Sequence, residues 1–280
     1  MDSRQTRSND DTYACYLLGF SPSDERLKQS ELLLLSQFGI EHCTFGSITA
    51  WFKRIERCEF EGPVAEKNLA DIEWLTPRVL AHESVVSSIS QQIPFYPSRF
   101  GALFSSLDPL REIALSNTTL LHAFFVRIRR KSEWGIKFFG DSARMAELTA
   151  QREGILHDGK VTSGANYLKL RQMQRAQSVA ATSVFQSLIN LATEHLQLRY
   201  SELARRPIHN TAKTASTEQL QGNFAILVRN DESEHLIAWA NEWNAEQFER
   251  SGMRTQISGP WPAYSFCPKL IDLAEVEKAA

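Results

Sequence analysis

The segment that most constrains the fold is Gly259-Pro260-Trp261-Pro262-Ala263-Tyr264-Ser265-Phe266, near the C-terminus. Two prolines within three residues exclude a helix and remove two backbone donors, and Met253 to Ile257 before them are predicted to form a short strand. We expect an extended aromatic clamp, buried across a sheet or a helix, with Trp261, Tyr264 and Phe266 as its side chains. Because Trp and Tyr are favoured at the centres of interfaces, an exposed anchor for a partner is the alternative.

The composition is that of a globular protein and argues against several function classes. The chain has 280 residues, of which 42% are hydrophobic and 23% charged, enough for one large or two medium domains. A net charge of -2 gives no field that would attract nucleic acid or an anionic membrane. No apolar run reaches the ~20 residues of a membrane span, and no secretory signal is recognisable. We therefore expect a cytoplasmic protein with reduced thiols.

The sequence contains no recognisable catalytic, cofactor or metal motif. Its four cysteines lie without a CxxC pair and without histidines at ligand spacing, so no metal site is predicted; they are Cys15, Cys43, Cys58 and Cys267. Phosphate-cradling and nucleophile-elbow motifs are missing. Adjacent His82 and Glu83 suggest general acid-base chemistry, yet neighbouring helical residues do not face one another. We predict that they pack or cap, and that the protein is not an enzyme and uses no cofactor.

Two basic features have a structural interpretation and a partner-binding one. Arg127, Arg129, Arg130 and Lys131 form a short cluster at a predicted helix end, where cations suit the helix dipole, so a solvated face is preferred over a nucleic-acid site. Arg99, beside Phe100, could order a loop by stacking or face a partner. We favour the loop-ordering role.

The first half predicts a sheet with helices on one face. The apolar run Tyr13–Phe20 is typical of a strand buried on both faces, and Gly46-Ser47 separates two strand patterns, 41–45 and 48–55, as in a hairpin. Pro77 should start the next helix, with Thr76 as its cap, or bend it. The apolar stripe of that helix is Leu69, Ile72, Leu75, Val79, His82, Val86 and Ile89. A strand around Trp134 ends this half, and a ferredoxin-like arrangement is the nearest named architecture.

The second half predicts a long helix followed by strand, helix and strand. The main helical stripe, beginning after Gly164, is Tyr167, Leu170, Met173, Ala180, Val184, Leu188, Leu191, His195 and Leu198, widened by Phe185, Ile189, Ala192 and Leu196. A helix approaching 40 residues would span ~60 Å, so we expect a break or a projecting arm. The repeated strand-helix-strand order predicts a helix-rich variant of the first domain. The fold class is thus α+β, with domains at 1–141 and 142–280, the second ending in the aromatic segment.

Four segments resemble signatures of the gas vesicle protein L/F family (GvpF/GvpL), in the order of that family. They are Ala81-His82-Glu83, Pro97-Ser98-Arg99-Phe100-Gly101, Glu133-Trp134-Gly135-Ile136-Lys137 and Ile257 to Phe266. At the fourth, Ala263 stands where the family usually has a second proline before the tyrosine. The resemblance covers most of the chain.

The resemblance implies a function that the residues alone do not give. It implies a ferredoxin-like N-terminal domain, a related helix-rich second domain, and a role in gas vesicle formation. The protein is then expected to be a minor structural or assembly protein of the gas vesicle, in contact with the major shell protein GvpA and other accessory proteins. Its candidate partner-binding or structural residues are Arg99, Phe100, Trp134, Trp261, Tyr264 and Phe266. The alternative is a small-molecule enzyme or sensor on the same scaffold, since that fold hosts many functions.

Overall fold

The computed structural model of the chain describes residues 12–152, 164–200, 202–208 and 218–271, and within 164–179 it describes the helix without its side chains. The fold is mixed α/β with antiparallel sheets. The chain divides into two compact units, one formed by the described residues of Met1–Ser132 and Trp261–Ala280, the other by those of Glu133–Pro260.

The first unit is built on a five-stranded sheet. Its elements in chain order are β1 (Tyr13–Pro22), α1 (Gln29–Gln37), β2 (Ile40–Phe45), β3 (Ile48–Glu56), α2 (Pro63–Ala70), α3 (Ile72–Ser90), β4 (Tyr96–Pro97), β5 (Leu103–Phe104), α4 (Leu107–Ser116) and α5 (Thr118–Ile128). The strand order is β2-β3-β1-β4, with β5 also paired to β1. The predicted hairpin is confirmed: Phe45 pairs with Ile48 across a two-residue loop that starts at Gly46, whose φ is +62°. Glycine at this position suits the type II′ turn that matches strand twist.

Helices cover both faces of the first sheet, which corrects the prediction of helices on one face. Nine successive residues of β1 and five of β3 are buried, and neighbouring residues of a strand point to opposite faces. One face packs β1 residues Tyr16 and Leu18 against α1 and α3. The other, with Leu17 opposite Phe52, lies under α4 and α5, which contact β3 and β1. The continuous apolar run of β1 thus has cover on two sides, as its composition predicted.

Of the two predictions for Pro77, the one that starts a helix at this residue is wrong. α3 starts at Ile72, and Asp71 caps it by accepting a 2.9 Å hydrogen bond from the backbone N–H of Glu73. Pro77 lies inside the helix, and Thr76 is not its cap. Only the C-terminal part of the predicted stripe, His82, Val86 and Ile89, is buried.

The second unit has a four-stranded sheet and a long helix. Its elements are β6 (Lys131–Asp141), α6 (Ser142–Arg152), α7 (Gly164–Arg199), β7 (Leu203–Arg205), β8 (Glu218–Arg229), α8 (Ser233–Ser251) and β9 (Met253–Trp261). The strand order is β7-β8-β6-β9. One core joins β6, β8, α6, α7 and α8, so these helices pack on the sheet face that carries Ile136 and Phe138.

The long helix buries a different stripe from the main one predicted. α7 has 36 residues in one span, and its core residues are Ala181, Phe185, Ile189, Ala192 and Leu196. Of the predicted main stripe, Val184, Leu191 and Leu198 are exposed. The secondary set was therefore the buried one. The ring of Phe185 lies against Gly140 of β6, where an added Cβ would be 2.6 Å from the nearest ring atom. The predicted residues Tyr167, Leu170 and Met173 lie outside the described side chains.

The two units differ from the predicted limits of 1–141 and 142–280. β6 begins at Lys131 and is a strand of the second sheet, so the division falls before Glu133 rather than after Asp141. At the other end, the chain after Pro260 belongs to the first unit, because residues of the aromatic segment pack into its core.

Candidate partner-binding surface

A buried hydrogen-bond chain joins β1, α3 and the loop after β4 in the first unit. The carbonyl of Ser98 can only accept a hydrogen bond, so Nε2 of His82, 3.1 Å away, donates one. Nδ1 of His82 then accepts from the Tyr16 hydroxyl at 2.7 Å, and the N–H of Gly101 donates to the Tyr16 oxygen. Burial lowers the pKa of His82 and raises the pKa of Tyr16. Because neither group changes charge near neutral pH, these hydrogen bonds have a structural role. The predicted packing role of His82 is confirmed.

Glu83 faces away from His82 and holds the closing aromatic segment. The Tyr264 hydroxyl donates to Oε2 of Glu83 at 3.1 Å, and burial, followed by the charge of Glu83, raises the pKa of Tyr264. The two neighbouring residues therefore serve different contacts, as the helix geometry predicted. The first and last signature segments meet here in one unit.

Further contacts fix the same segment in the first unit. The guanidinium of Arg127 donates to the carbonyl of Phe266 at 3.3 Å and lies 5.7 Å from its ring centre. Tyr96 donates to the carbonyl of Pro268 at 3.0 Å. The side chain of buried Asn117 both donates to and accepts from the backbone of Ile271. The segment is thus held along its length.

The clamp prediction is right for Phe266 and wrong for Trp261. The side chain of Phe266 is 6% exposed, whereas Trp261 is 42% exposed. Ala263 of the closing segment is buried as well. Phe266 is therefore the principal buried ring of the clamp.

The remaining predicted site residues lie in separate surroundings. Phe100 packs its ring against Tyr16 and His82, with centroids 5.9 and 5.8 Å apart. Arg99 beside it is exposed. Trp134 is buried in the core of the second unit, where the nearest atom to a Cβ added at Gly259 would be Cδ2 of Trp134, at 2.9 Å. The role of these residues in partner binding stays a prediction.

A cavity of about 610 Å³ opens beside the hydrogen-bond chain of the first unit. Aromatic and aliphatic side chains form much of its wall, among them Tyr13, Phe38, Ile55, Phe60 and Phe100. This size is typical of pockets for small ligands. The lining suits an apolar group.

Two arginines at the cavity, Arg78 and Arg54, already have partners within the chain. Arg78 stacks 4.0 Å from the centre of the Trp74 ring and lies 3.4 Å from a carboxylate oxygen of Glu59. Arg54 lies 3.2 Å from Glu41. Among the described residues, no group of three or more His, Cys, Asp or Glu side chains could hold a metal ion. Because these arginines are already paired, the cavity suits an apolar ligand better than a charged one.

The helices on the cavity side of the first sheet expose large apolar side chains, which we call the apolar face. Its exposed members are Leu33 and Leu34 of α1, Phe38 after it, Val64 and Leu69 of α2, and Ile72, Val79 and Leu80 of α3. Ile72 is 72% exposed and Leu80 63%. On α4 and α5, by contrast, the exposed large apolar side chains are Leu115 and Val126. A contiguous patch of exposed apolar side chains is typical of interaction sites, so these helices carry the candidate partner-binding surface.

Sequence analysis missed most of this face, although one signal was present. Four successive leucines, Leu32 to Leu35, cannot all lie on the buried side of a single helix, because successive residues are about 100° apart. Leu35 is buried, and Leu33 and Leu34 are exposed. The exposure of Ile72 had no comparable sequence signal, since Ile72 also fitted the predicted buried stripe. In the described ranges, no helix is long and apolar enough to cross a membrane.

Comparisons with known proteins agree on one family. The family model described as "Gas vesicle synthesis protein GvpL/GvpF" matches residues 14–268. A curated relative, gas vesicle protein L of Streptomyces sp. (strain CB03234), is 22% identical over 231 residues, which cover 79% of this chain and 80% of the relative.

Two solved structures share the fold. The crystal structure of GvpF from Anabaena sp. PCC7120 has a TM-score of 0.60 at 15% identity, covering 93% of this chain and 98% of the other. That of GvpF from Microcystis aeruginosa has a TM-score of 0.57 at 16% identity, covering 91% and 99%. Because the family model spans most of the chain, this protein belongs to the GvpL/GvpF family of gas vesicle synthesis proteins.

Proposed function

We propose that the protein acts in gas vesicle formation as a minor structural or assembly protein that contacts the major shell protein GvpA and other accessory gas vesicle proteins. The observation that carries the proposal, beside family membership, is the apolar face of the first unit. A subunit that lines a gas space needs an apolar surface, and such a surface aggregates in water. A protein that covers that surface before polymerisation, or nucleates ordered stacking, needs an apolar surface of its own. We place this activity in the cytoplasm and at the vesicle.

The enzyme or sensor alternative has less support. The cavity of the first unit offers a site of suitable volume, but His82 and Tyr16 are committed to each other and to the backbone of Ser98 and Gly101. Convergent polar groups free to act on a substrate are the usual mark of an active site. The paired charges around this cavity favour an apolar binding partner.

We also infer that each unit is a variant of the ferredoxin-like plan. What supports this is the strand order, in which the second, third, first and fourth main strands lie side by side in both units. In both, a helix or helix pair follows the first strand and another follows the third. This is the βαββαβ order of that plan, with α4 and α5 added to the first unit.

The proposal is tested by deleting the gene and restoring it with surface variants. Deletion should abolish or stunt vesicles, as judged by electron microscopy and buoyancy, and the wild-type gene should restore them. A triple variant, Leu33→Ser, Leu34→Ser and Phe38→Ser, should restore them poorly. The matched control, Leu115→Ser with Val126→Ser, changes exposed apolar residues on α4 and α5 and should restore them fully. Normal vesicles in the deletion strain, with no second copy of the gene, would refute the proposed function.

A further inference from the structure

Strand β2 is an unprotected sheet edge. Native sheets blunt their edges with very short strands, lysine, proline or bulges. At the opposite edge, β4 has two residues and ends in Pro97; in the second unit β7 has three residues and β9 contains Pro260. β2 has six residues, Ile40–Phe45, with neither proline nor lysine, and its one carboxylate, Glu41, pairs with Arg54 of β3.

The hairpin geometry shows which backbone groups of β2 point outward. Phe45 and Ile48 close a two-residue loop, so they form a hydrogen-bonded pair and the backbone groups of Phe45 and Cys43 point to β3. Those of His42 and Thr44 then point away from β3. Within the described chain, no backbone hydrogen bond outside the β2–β3 ladder reaches residues 40–45. Both side chains are exposed, so the outward groups are accessible.

A second cavity lies beside this edge, on the side of α1. It has a volume of about 300 Å³ and is lined by Leu32, Leu35, Ser36, Ile40, Glu41, His42 and Trp51. An extended segment paired with β2 would place every second side chain on this side of the sheet. The leucines and Trp51 make the cavity suited to an apolar side chain.

We propose that the outer edge of β2 binds an extended partner segment with apolar side chains at alternate positions, which adds to the first sheet as a further strand. Strand addition gains affinity from main-chain hydrogen bonds and specificity from pockets for alternate side chains. This inference rests on the proposed function, within which the partner is an amphipathic gas vesicle protein. The exposed Leu33, Leu34 and Phe38 of the neighbouring α1 extend the apolar contact.

A second copy of β2 fits this edge less well. A two-fold axis that relates antiparallel strands is perpendicular to the sheet, so the side chains of the copy on the α1 side would again be Ile40, His42 and Thr44. If the two-fold axis passes beside Cys43, His42 of one strand faces Thr44 of the other. The polar side chains of His42 and Thr44 of the copy would then lie beside the apolar cavity. In the register centred on His42, the two imidazoles would oppose each other. The observations therefore favour a partner with apolar side chains at these positions.

The test blocks one outward N–H of β2. In His42→Pro the missing N–H belongs to the outer edge, where proline is tolerated, and His42→Ala is the matched control that keeps the N–H. Overlapping synthetic peptides that cover GvpA of the same organism serve as probes in fluorescence titrations. We expect the dissociation constant of the best peptide to rise roughly tenfold or more for His42→Pro, because a donor is lost and an acceptor is left unpaired. For His42→Ala, which removes only the imidazole at the wall of the cavity beside β2, we expect a clearly smaller rise than for His42→Pro, since the backbone contacts remain.

A second measurement on the wild-type chain keeps the test independent of how well His42→Pro folds. Residue-resolved hydrogen exchange should show new protection of the His42 and Thr44 amides on peptide binding, while the Cys43 amide stays protected throughout. Peptide binding without this protection, or unchanged affinity of a folded His42→Pro, would overturn the edge site and leave the shell contact standing. If neither peptides nor intact GvpA bind the wild-type chain, the proposed shell contact itself is refuted. A wild-type dimer in sedimentation equilibrium that His42→Pro dissociates would make a second copy the occupant, against the proposal.

Discussion

The two units share a strand order and differ in how their sheets are covered. In the first, helices lie on both faces, and β1 is buried over nine successive residues. In the second, α6, α7 and α8 pack on one face, and the buried apolar side chains of β6 alternate as Trp134, Ile136 and Phe138, with exposed Lys137 among them. The comparison shows that the same strand order can carry a sheet with helices on both faces or a sheet with helices packed on one face. In the first unit α1, α2 and α3 expose large apolar side chains, and other residues of α3 line a cavity.

The largest expected effect sharpens the description of the second unit. Phe185→Ala should lower the free energy of unfolding by about 3–5 kcal/mol, because the ring is fully buried and its removal leaves a cavity. The matched control is the adjacent Val184→Ala, which changes a side chain on the exposed side of α7 and should cost less than about 1 kcal/mol. Urea unfolding measures both variants. A greater cost at Val184 would mean that α7 packs by the stripe the sequence predicted.

The next effect concerns the closing segment of the first unit. Phe266→Ala should cost about 3 kcal/mol, since it empties a buried site and removes the ring beside Arg127. Trp261→Ala should cost less, about 2 kcal/mol, because Trp261 is 42% exposed. Chemical unfolding of both variants decides the order. Equal losses would show that Trp261 is also a clamp residue.

The smallest expected effect is a pH dependence of stability that comes from His82 in the first unit. Burial lowers the pKa of His82 below its ordinary value of 6.5, so the unfolded chain takes up this proton first. The stability that His82 contributes is complete above about pH 6.5 and is lost as the pH falls toward the pKa of the folded state. Wild-type melting temperature should therefore fall on acidification, and the fall should be smaller in His82→Gln. His235→Gln, at an exposed histidine of the second unit, should behave as wild type. An equal fall in His82→Gln would remove His82 as the cause.

Strands and turns were predictable where the residues of the segment alone determine its conformation. The continuous run of β1 and the Gly46-Ser47 turn required two-sided burial and a two-residue hairpin, and the structure has both. The buried face of α7 was not predictable, because its apolar residues form two overlapping stripes. Contacts with the sheet determine which stripe is buried. The cover of the first sheet by α4 and α5 depended on tertiary packing that periodicity does not encode.

The candidate site was only partly predictable for a similar reason. Phe100, Tyr264 and Phe266 were recognised from their segments, and all three lie in the first unit. Three exposed members of the apolar face, Leu69, Ile72 and Val79, were predicted as part of a buried stripe, since an apolar stripe does not show whether another element covers it. Ile72 of α3 is the clearest case, with 72% of its surface exposed.

The central claim is that the first unit holds its partner by apolar burial, and calorimetric titration of the full chain with GvpA peptides tests it directly. Arg127 contacts Phe266, and Arg129 pairs with Glu25, so these members of the basic cluster are committed within the chain. We expect an affinity that holds or rises with salt and a negative heat-capacity change on binding. A fall of tenfold or more between about 50 and 200 mM salt, the behaviour of multi-contact ionic binding, would contradict the account and make the basic cluster the binding site.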